Sequence, residues 1–517
     1  MSPTKRIILN TVATYGRTLF GVALGLFSSR WVLMGLGEER FGLFGVVGGI
    51  ISLVCLLNFL LAASVGRSYA YAIGESKNQS EAEGEESLTR WFCSAFTIYM
   101  ILPILLVGIG YVIGSYAIEH WLKIPAGYIN TCIWVFRFSL FMSFMSMISV
   151  PYIAMYQARQ LIAELSIWGV VTTLANFAIA YYMLYCPGDR LLMYGLLSAL
   201  APSLVFGIQI WRARKCFSAC HIRLHYLFDR QRLVEIFRFA FWDFFGWLGA
   251  SARDQGSIFV INRKFGSGPI AAYRVTQSVI HHATTLSNAI LGALHPAITT
   301  AVGQGDFGAA KSLTFRACKF GSLMMLFFAI PIFIEIDEIL RLWLVNPPEF
   351  TSGFCRAILV STVVEKFAWG HHLAILALGR IAYFQTVLGL TAGLGLVVLL
   401  VLIAMGLGPL SVGYMFIGVF SALTVERVIF ARRLLGLSIW YWILRIFCPL
   451  ALSVLCTMLA SSFFSTLVQS CNSILRICST GIVSSIVLGT LSWMLVLDVS
   501  ERKFIVNKVL RRFSRSS

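Results

Sequence analysis

The chain has 517 residues, of which 58% are apolar and only 12% charged, with a mean hydropathy of +0.81. That charged share is about half the usual share of a soluble domain, which excludes a soluble fold. The 41 basic residues exceed the 23 acidic ones, for a net charge of +18. Most of these cations lie in short connections between apolar runs, where they read as topology signals and contacts to membrane lipids, so no nucleic-acid partner is expected.

A membrane span needs about 20 apolar residues, and fourteen such runs occur. They lie near residues 9–31, 42–66, 91–116, 130–155, 163–185, 191–211, 234–261, 270–299, 314–334, 353–379, 383–405, 411–431, 438–459 and 479–497. The first run carries Arg17 in its middle and lacks a small-residue cleavage site, so it is expected to stay as the first helix. Lys and Arg in the connections divide 23 to seven in favour of the side that holds the N-terminus, which predicts that both termini are cytoplasmic. The largest outside loops are expected around 335–350 and 460–478, the first opening on Glu335-Ile336-Asp337. The acidic stretch from Glu75 to Arg90 reads as a solvated cytoplasmic loop. Twelve cysteines are scattered without a C-x-x-C pair. Cys216, Cys220 and His221 are the nearest approach to a ligand set, and neither a metal nor a cofactor is expected.

An offset of 229 residues aligns Gly37 with Gly266, Phe44 with Tyr273, and residues 72–77 with 301–306. Six spans separate the copies, so they enter from the same face and form a parallel repeat. The expected fold is all-α and polytopic, with about 14 transmembrane helices. Residues 1–211 form one six-helix lobe, 212–233 a basic cytoplasmic linker, 234–433 a second six-helix lobe, and 434–517 two additional helices with a basic tail.

The opening Asn10-Thr11 through Arg17, followed by Gly35-Leu36-Gly37-Glu38-Glu39-Arg40-Phe41-Gly42-Leu43-Phe44, resembles the start of bacterial polysaccharide flippases of the multidrug/oligosaccharidyl-lipid/polysaccharide exporter superfamily. Pro296 with Thr299-Thr300-Ala301-Val302-Gly303-Gln304-Gly305-Asp306 resembles a second element of that superfamily. The resemblance implies a V-shaped bundle in the bacterial inner membrane. By alternating access it would move an undecaprenyl-pyrophosphate-linked oligosaccharide to the outer leaflet for O-antigen or exopolysaccharide biosynthesis. The implied partners are that lipid-linked substrate and the polysaccharide polymerase and chain-length proteins.

Ionisable groups at membrane depth each cost at least about 2.5 kcal/mol on insertion scales, so they mark sites or partners. On the first span Asn10, Thr14, Arg17, Gly21, Gly25 and Ser28 share a face, which reads either as a cavity wall or as a helix seam. Arg137 on the fourth span has no acid in its own run. On the seventh, Asp243, Trp247, Ala250, Asp254 and Ser257 share a face, with Arg253 beside Asp254; side chains about 100° apart predict that each finds a partner on another helix. On the eighth, Arg274, Gln277, His281, Thr285 and Asn288 form a stripe, and on the tenth Glu365 and Lys366 adjoin. Guanidinium groups bind phosphate through two parallel hydrogen bonds, so Arg17, Arg137, Arg253, Arg274, Gln277 and Asn288 are the expected head-group residues facing a shared cavity. Asp243, Asp254, His281, Glu365 and Lys366 are the expected gating or coupling groups. The rival readings are a cation-coupled multidrug exporter of the same superfamily, with Asp243, Asp254 and Glu365 as coupling acids, and a polyprenyl-dependent membrane glycosyltransferase or ligase. No G-x-x-x-x-G-K-[ST], H-E-x-x-H or G-x-S-x-G motif occurs, and a non-enzymatic role is expected.

Overall fold

The structure, a computed structural model, describes residues 3–503 apart from 38–39, 42, 46, 49–50, 52–54, 77–79, 122–123, 266, 345–346, 470–471 and 500. Glu38, Glu39, Gly42, Lys77, Gly266 and the tail beyond residue 503 lie outside the described residues. Among the described residues all regular structure is helical. The first half holds α1 (Pro3–Leu36), α2 (Leu56–Glu75), α3 (Glu81–Tyr116), α4 (Ile129–Ala158), α5 (Ile162–Tyr182) and α6 (Arg190–Cys216). There follow α7 (Arg230–Phe265), α8 (Ser267–Gly303), α9 (Phe307–Leu344), α10 (Thr351–Lys366), α11 (Trp369–Leu378), α12 (Ala382–Ala404) and α13 (Ser411–Leu435). The chain ends in α14 (Ile439–Leu467) and α15 (Ser473–Val496).

Nine of the described helices, α1, α3 to α6 and α12 to α15, are long and apolar enough to cross a membrane. On α12 the exposed Leu390, Leu394, Val397 and Val401 recur at helical spacing, a face suited to lipid. Of the long helices that miss this apolar threshold, α7 and α8 carry the stripes of Asp243 to Ser257 and of Arg274 to Asn288. Two connections are shorter than the sequence reading has them. Helix α9 runs on to Leu344 with a break in pitch at Glu335, so Glu335 and Ile336 are buried helical residues rather than an outside loop. Helices α14 and α15 leave only a few residues between them.

Contacts divide the chain into two compact units, Met1–Asp243 with His295–Asp306, and Phe244–Leu294 with Phe307–Ser517. The core of the first is aromatic, with Tyr69, Phe92, Tyr152 and Tyr156 fully buried and Phe92 edge-on to Tyr152 at 5.2 Å. Phe217, Ala219 and Cys220, from the stretch expected to be a linker, are buried in that core. The acidic stretch that reads as a solvated loop is, from Glu81 onward, the first turns of α3. Ser80 caps the helix reciprocally with Glu83, Glu86 pairs with Arg90 at 2.6 Å and accepts from the Tyr226 hydroxyl at 2.8 Å, and Glu85 pairs with Arg159 and accepts from Ser218. These carboxylates hold the basic segment in place.

The internal repeat has a geometric counterpart. Helices α1 and α7 end at Leu36 and Phe265, which the same 229-residue offset relates. Within the first unit, α2 and the end of α8 cross at Gly74 and Gly303, a pair related by that offset. A Cβ on Gly74 would lie 2.2 Å from the Thr300 carbonyl oxygen, and one on Gly303 would lie 2.2 Å from the Tyr71 carbonyl oxygen. Tyr71 and Thr300 are offset equivalents too, so the contact is reciprocal.

The core of the second unit forms where α9 packs against the break after α10 and against α13, α14 and α15. Two buried charges tie α9 down. Lys319 bonds Asp498 at 2.6 Å and Glu501 at 3.3 Å, and Glu335 meets Arg476 at 2.8 Å while accepting from Ser465 and Thr480.

Candidate functional site

The α1 stripe is a helix seam at Asn10 and Gly21, while Gly25 of the same stripe faces open space. The Asn10 amide donates to the Gln160 carbonyl at 2.9 Å and accepts from the Ala163 N–H at 3.0 Å, while Gly21 faces Thr173 of α5. Arg17 lies along the edge of this seam, exposed, with its guanidinium over Gly169, where a Cβ would come within 2.6 Å of the Arg17 Nε. Arg137 is also exposed. Its guanidinium sits 4.8 Å from the Trp134 ring centroid and donates to the Tyr111 hydroxyl at 3.2 Å. A groove of about 420 Å³ on the same helix, between Phe141, Met145, Leu204, Ile208 and Trp211, is almost wholly apolar and suits a hydrocarbon chain rather than a sugar.

On α7, Arg253 and Asp254 bond each other directly, Nε–H to carboxylate, at 2.8 Å. Asp254 therefore takes its ion-pair partner from its own helix rather than another, contrary to the expectation, while Arg253 also reaches another helix. The Cβ vectors diverge, but the arginine stem is long enough to fold back onto its neighbour. Arg253 is buried, and it also stands 4.9 and 4.8 Å from the ring centroids of Phe416 and Phe420 on α13. Gly395 of α12 admits its stem, with the Arg253 Cγ at 3.3 Å from where a Cβ would be. On α8 the stripe is open, with Arg274, His281 and Asn288 exposed and Gln277 and Thr285 half-buried.

Asn288 leads from that stripe into a buried cluster at the break between α10 and α11. Its Oδ1 accepts from the Lys366 ammonium at 2.8 Å. Lys366 lies 4.5 Å from the Trp369 ring centroid, and the Arg427 guanidinium of α13 lies 4.7 Å from the same centroid. Arg427 pairs with Glu365 at 3.0 Å. The two carbonyls freed near the break are satisfied, Val364 by the Thr424 hydroxyl and Phe367 by the Trp442 indole N–H. Arg427 escapes a sequence reading because its partner is 62 residues away, while the adjacent Glu426 suggests local neutralisation. Its one signal is an arginine well inside an apolar run.

The acids of the apolar runs have partners. Glu164 meets Arg212, Glu235 meets Arg67, Asp254 meets Arg253, Glu365 meets Arg427, Glu426 accepts from Thr391, and Asp243 is half-buried and likewise engaged. Arg17, Arg137 and Arg274 have no acid within ion-pair distance among the described residues. Cys216 is exposed, whereas burial pushes the Cys220 thiol up to about 12 and leaves it unreactive. Among the described residues no three His, Cys, Asp or Glu side chains converge as metal ligands.

Residues 254–368 match the MatE family model, a stretch that holds Asp254, the α8 stripe, Glu365 and Lys366. The structure superposes on a MATE crystallised in the straight conformation with a TM-score of 0.67 at 14% identity, covering 84% of this chain and 97% of that one. The chain has the MATE fold. An outward-facing multidrug resistance MATE family transporter of the MOP superfamily gives a TM-score of 0.69 at 15% identity, over 84% of this chain and 96% of that one. A MOP superfamily transporter from Pyrococcus furiosus Vc1 (DSM3638), whose binding pocket has reversed polarity that suggests a different function, gives 0.68 at 15% identity, over 84% and 96%. No curated protein matches at the sequence level.

Proposed function

We propose that this MATE-fold chain is a transporter of an anionic, lipid-linked saccharide, moved across the bacterial inner membrane by alternating access with both termini cytoplasmic. The observation that carries the reading is the charge inventory. Asp254 and Glu365, two of the acids that a cation-coupled exporter would use, are each held by an arginine, while Arg17, Arg137 and Arg274 have no acid partner among the described residues. Exposed guanidinium groups at membrane depth need water or an anionic ligand, and their planar forks match phosphate. The open α8 stripe offers sugar hydroxyls donors and acceptors in Gln277, His281 and Asn288, on the same helix as the Arg274 charge.

A cation-coupled multidrug exporter is the second reading, and the outward-facing multidrug resistance transporter that shares the fold favours it. Reconstitution separates the two. Proteoliposomes carrying the purified chain are expected to flip a fluorescent polyprenyl-pyrophosphate saccharide and to leave a cationic dye unmoved under a sodium or proton gradient. Gradient-driven efflux of the dye without lipid flipping overturns the proposal.

A further inference from the structure

We infer that Lys366 and Arg427, gathered on Trp369 at the break between α10 and α11, form a binding site for a small anion, a halide ion or a single phosphoryl oxygen, entered past Asn288. Both cations are nearly fully buried, at 4% and 3% exposure, and among the described residues Glu365 is the only carboxylate within ion-pair distance of either. Glu426, next to Arg427 in sequence, directs its carboxylate to Thr391 of α12 instead. Oε2 of Glu426 is also buried without a hydrogen-bond partner among the described residues, but no ion pair joins that carboxylate to Arg427. The acceptors at the break are provided for, because Val364, Phe367 and Asn288 all receive donors. Donors are left over on both cations: Nε and Nη1 of Arg427 are buried and find no hydrogen-bond partner among the described residues, and the Lys366 ammonium uses one of its three protons on Asn288.

A buried guanidinium with two free donors is costly, and a second cation on the same ring adds repulsion. One acceptor carrying negative charge relieves both costs at once. A carboxylate-sized or larger ligand is not required, since the unpartnered buried donors are two nitrogens of one guanidinium. The approach runs through the exposed Asn288 at the end of the α8 stripe. Binding of a halide stands independently of the proposed substrate. Binding of a phosphoryl oxygen rests on that reading.

The test uses the purified full-length chain in detergent, with its melting temperature followed in gluconate, chloride, bromide and pyrophosphate at constant ionic strength. The expected result is a saturable upward shift with chloride and bromide. Lys366→Met removes one donor and leaves Asn288 free to be solvated. Glu365→Gln combined with Arg427→Gln removes both charges of the pair together. Each is expected to raise the half-saturating anion concentration about tenfold or more, the effect of losing one charge-assisted hydrogen bond. Iodide quenching of tryptophan fluorescence supplies a second readout, with a saturable component that Trp369→Phe removes. That readout decides the matter if the paired variant does not fold. Pyrophosphate that competes with chloride assigns the site to a phosphoryl group as well; pyrophosphate without effect assigns it to halides alone. The inference is overturned if wild type shows no saturable response, or if the response survives undiminished in the variants. A failure of lipid flipping with anion binding intact counts against the proposed substrate, not against this site.

Discussion

Truncating Arg253 tests whether its aromatic surroundings or its acid partner holds it in place. The two contacts to Phe416 and Phe420 contribute about 0.5 to 2 kcal/mol each at a buried site. The bond to Asp254 counts for less, because the carboxylate is 41% exposed and solvent screens it to about 0.2 to 1 kcal/mol. Packing of the buried stem adds roughly 1 kcal/mol. Arg253→Ala is therefore expected to destabilise the chain by about 2 to 6 kcal/mol, and Asp254→Asn by less than about 1 kcal/mol. Arg253→Lys keeps the charge but loses the planar group that lies on the rings, so it should fall between them. Reversible unfolding of the purified variants in mixed micelles measures the order. Asp254→Asn as costly as Arg253→Ala would refute the reasoning, because it would make the acid, not the aromatic pair, the main support.

Gly249→Ala places a Cβ 2.0 Å from the Gly389 carbonyl oxygen, a backbone contact that cannot yield easily, so the variant should be lost from the membrane fraction on immunoblots. Glu335→Ala strands the partly buried Arg476 and should destabilise by about 3 to 5 kcal/mol, whereas Glu335→Gln, which keeps acceptors for Ser465 and Thr480, should cost less in the same unfolding assay. Gly169→Ala intrudes on the Arg17 guanidinium and should slow flipping in proteoliposomes while leaving expression normal, since a flexible side chain is what must move. A membrane-impermeant maleimide applied to intact cells should not label the exposed Cys216; labelling there would reverse the assigned orientation.

Helix number and type were legible because spans of apolar residues have no other stable solution in a bilayer. The polar stripes were legible as stripes, from spacing alone. What they face was not: Asn10, Gly21 and the stem of Arg17 lie against α5, and sequence spacing is the same for a seam and a cavity wall. Pairing across helices was also out of reach. Glu365 and Lys366 look like a local neutral couple, yet their partners are Arg427 and Asn288 on two other helices. The 100° rule failed at Arg253 because it describes Cβ directions, and a long stem ends far from where it starts. The acids of 81–86 resembled a loop because capping residues and first-turn carboxylates share the composition of solvated segments.

The reciprocal crossing at Gly74 and Gly303 has a consequence for how the gene can change. Each glycine is packed against a carbonyl of the other helix, so a methyl group at either position pushes the same two backbones apart. Once one substitution has separated them, the second meets little further resistance. In a saturation mutagenesis experiment the two positions should behave as one locus, with alanine severe at either and the double variant no worse than the single ones. Drift at one glycine is therefore not corrected by compensation at the other, and the two codons remain jointly constrained although the repeat around them has otherwise lost most of its identity.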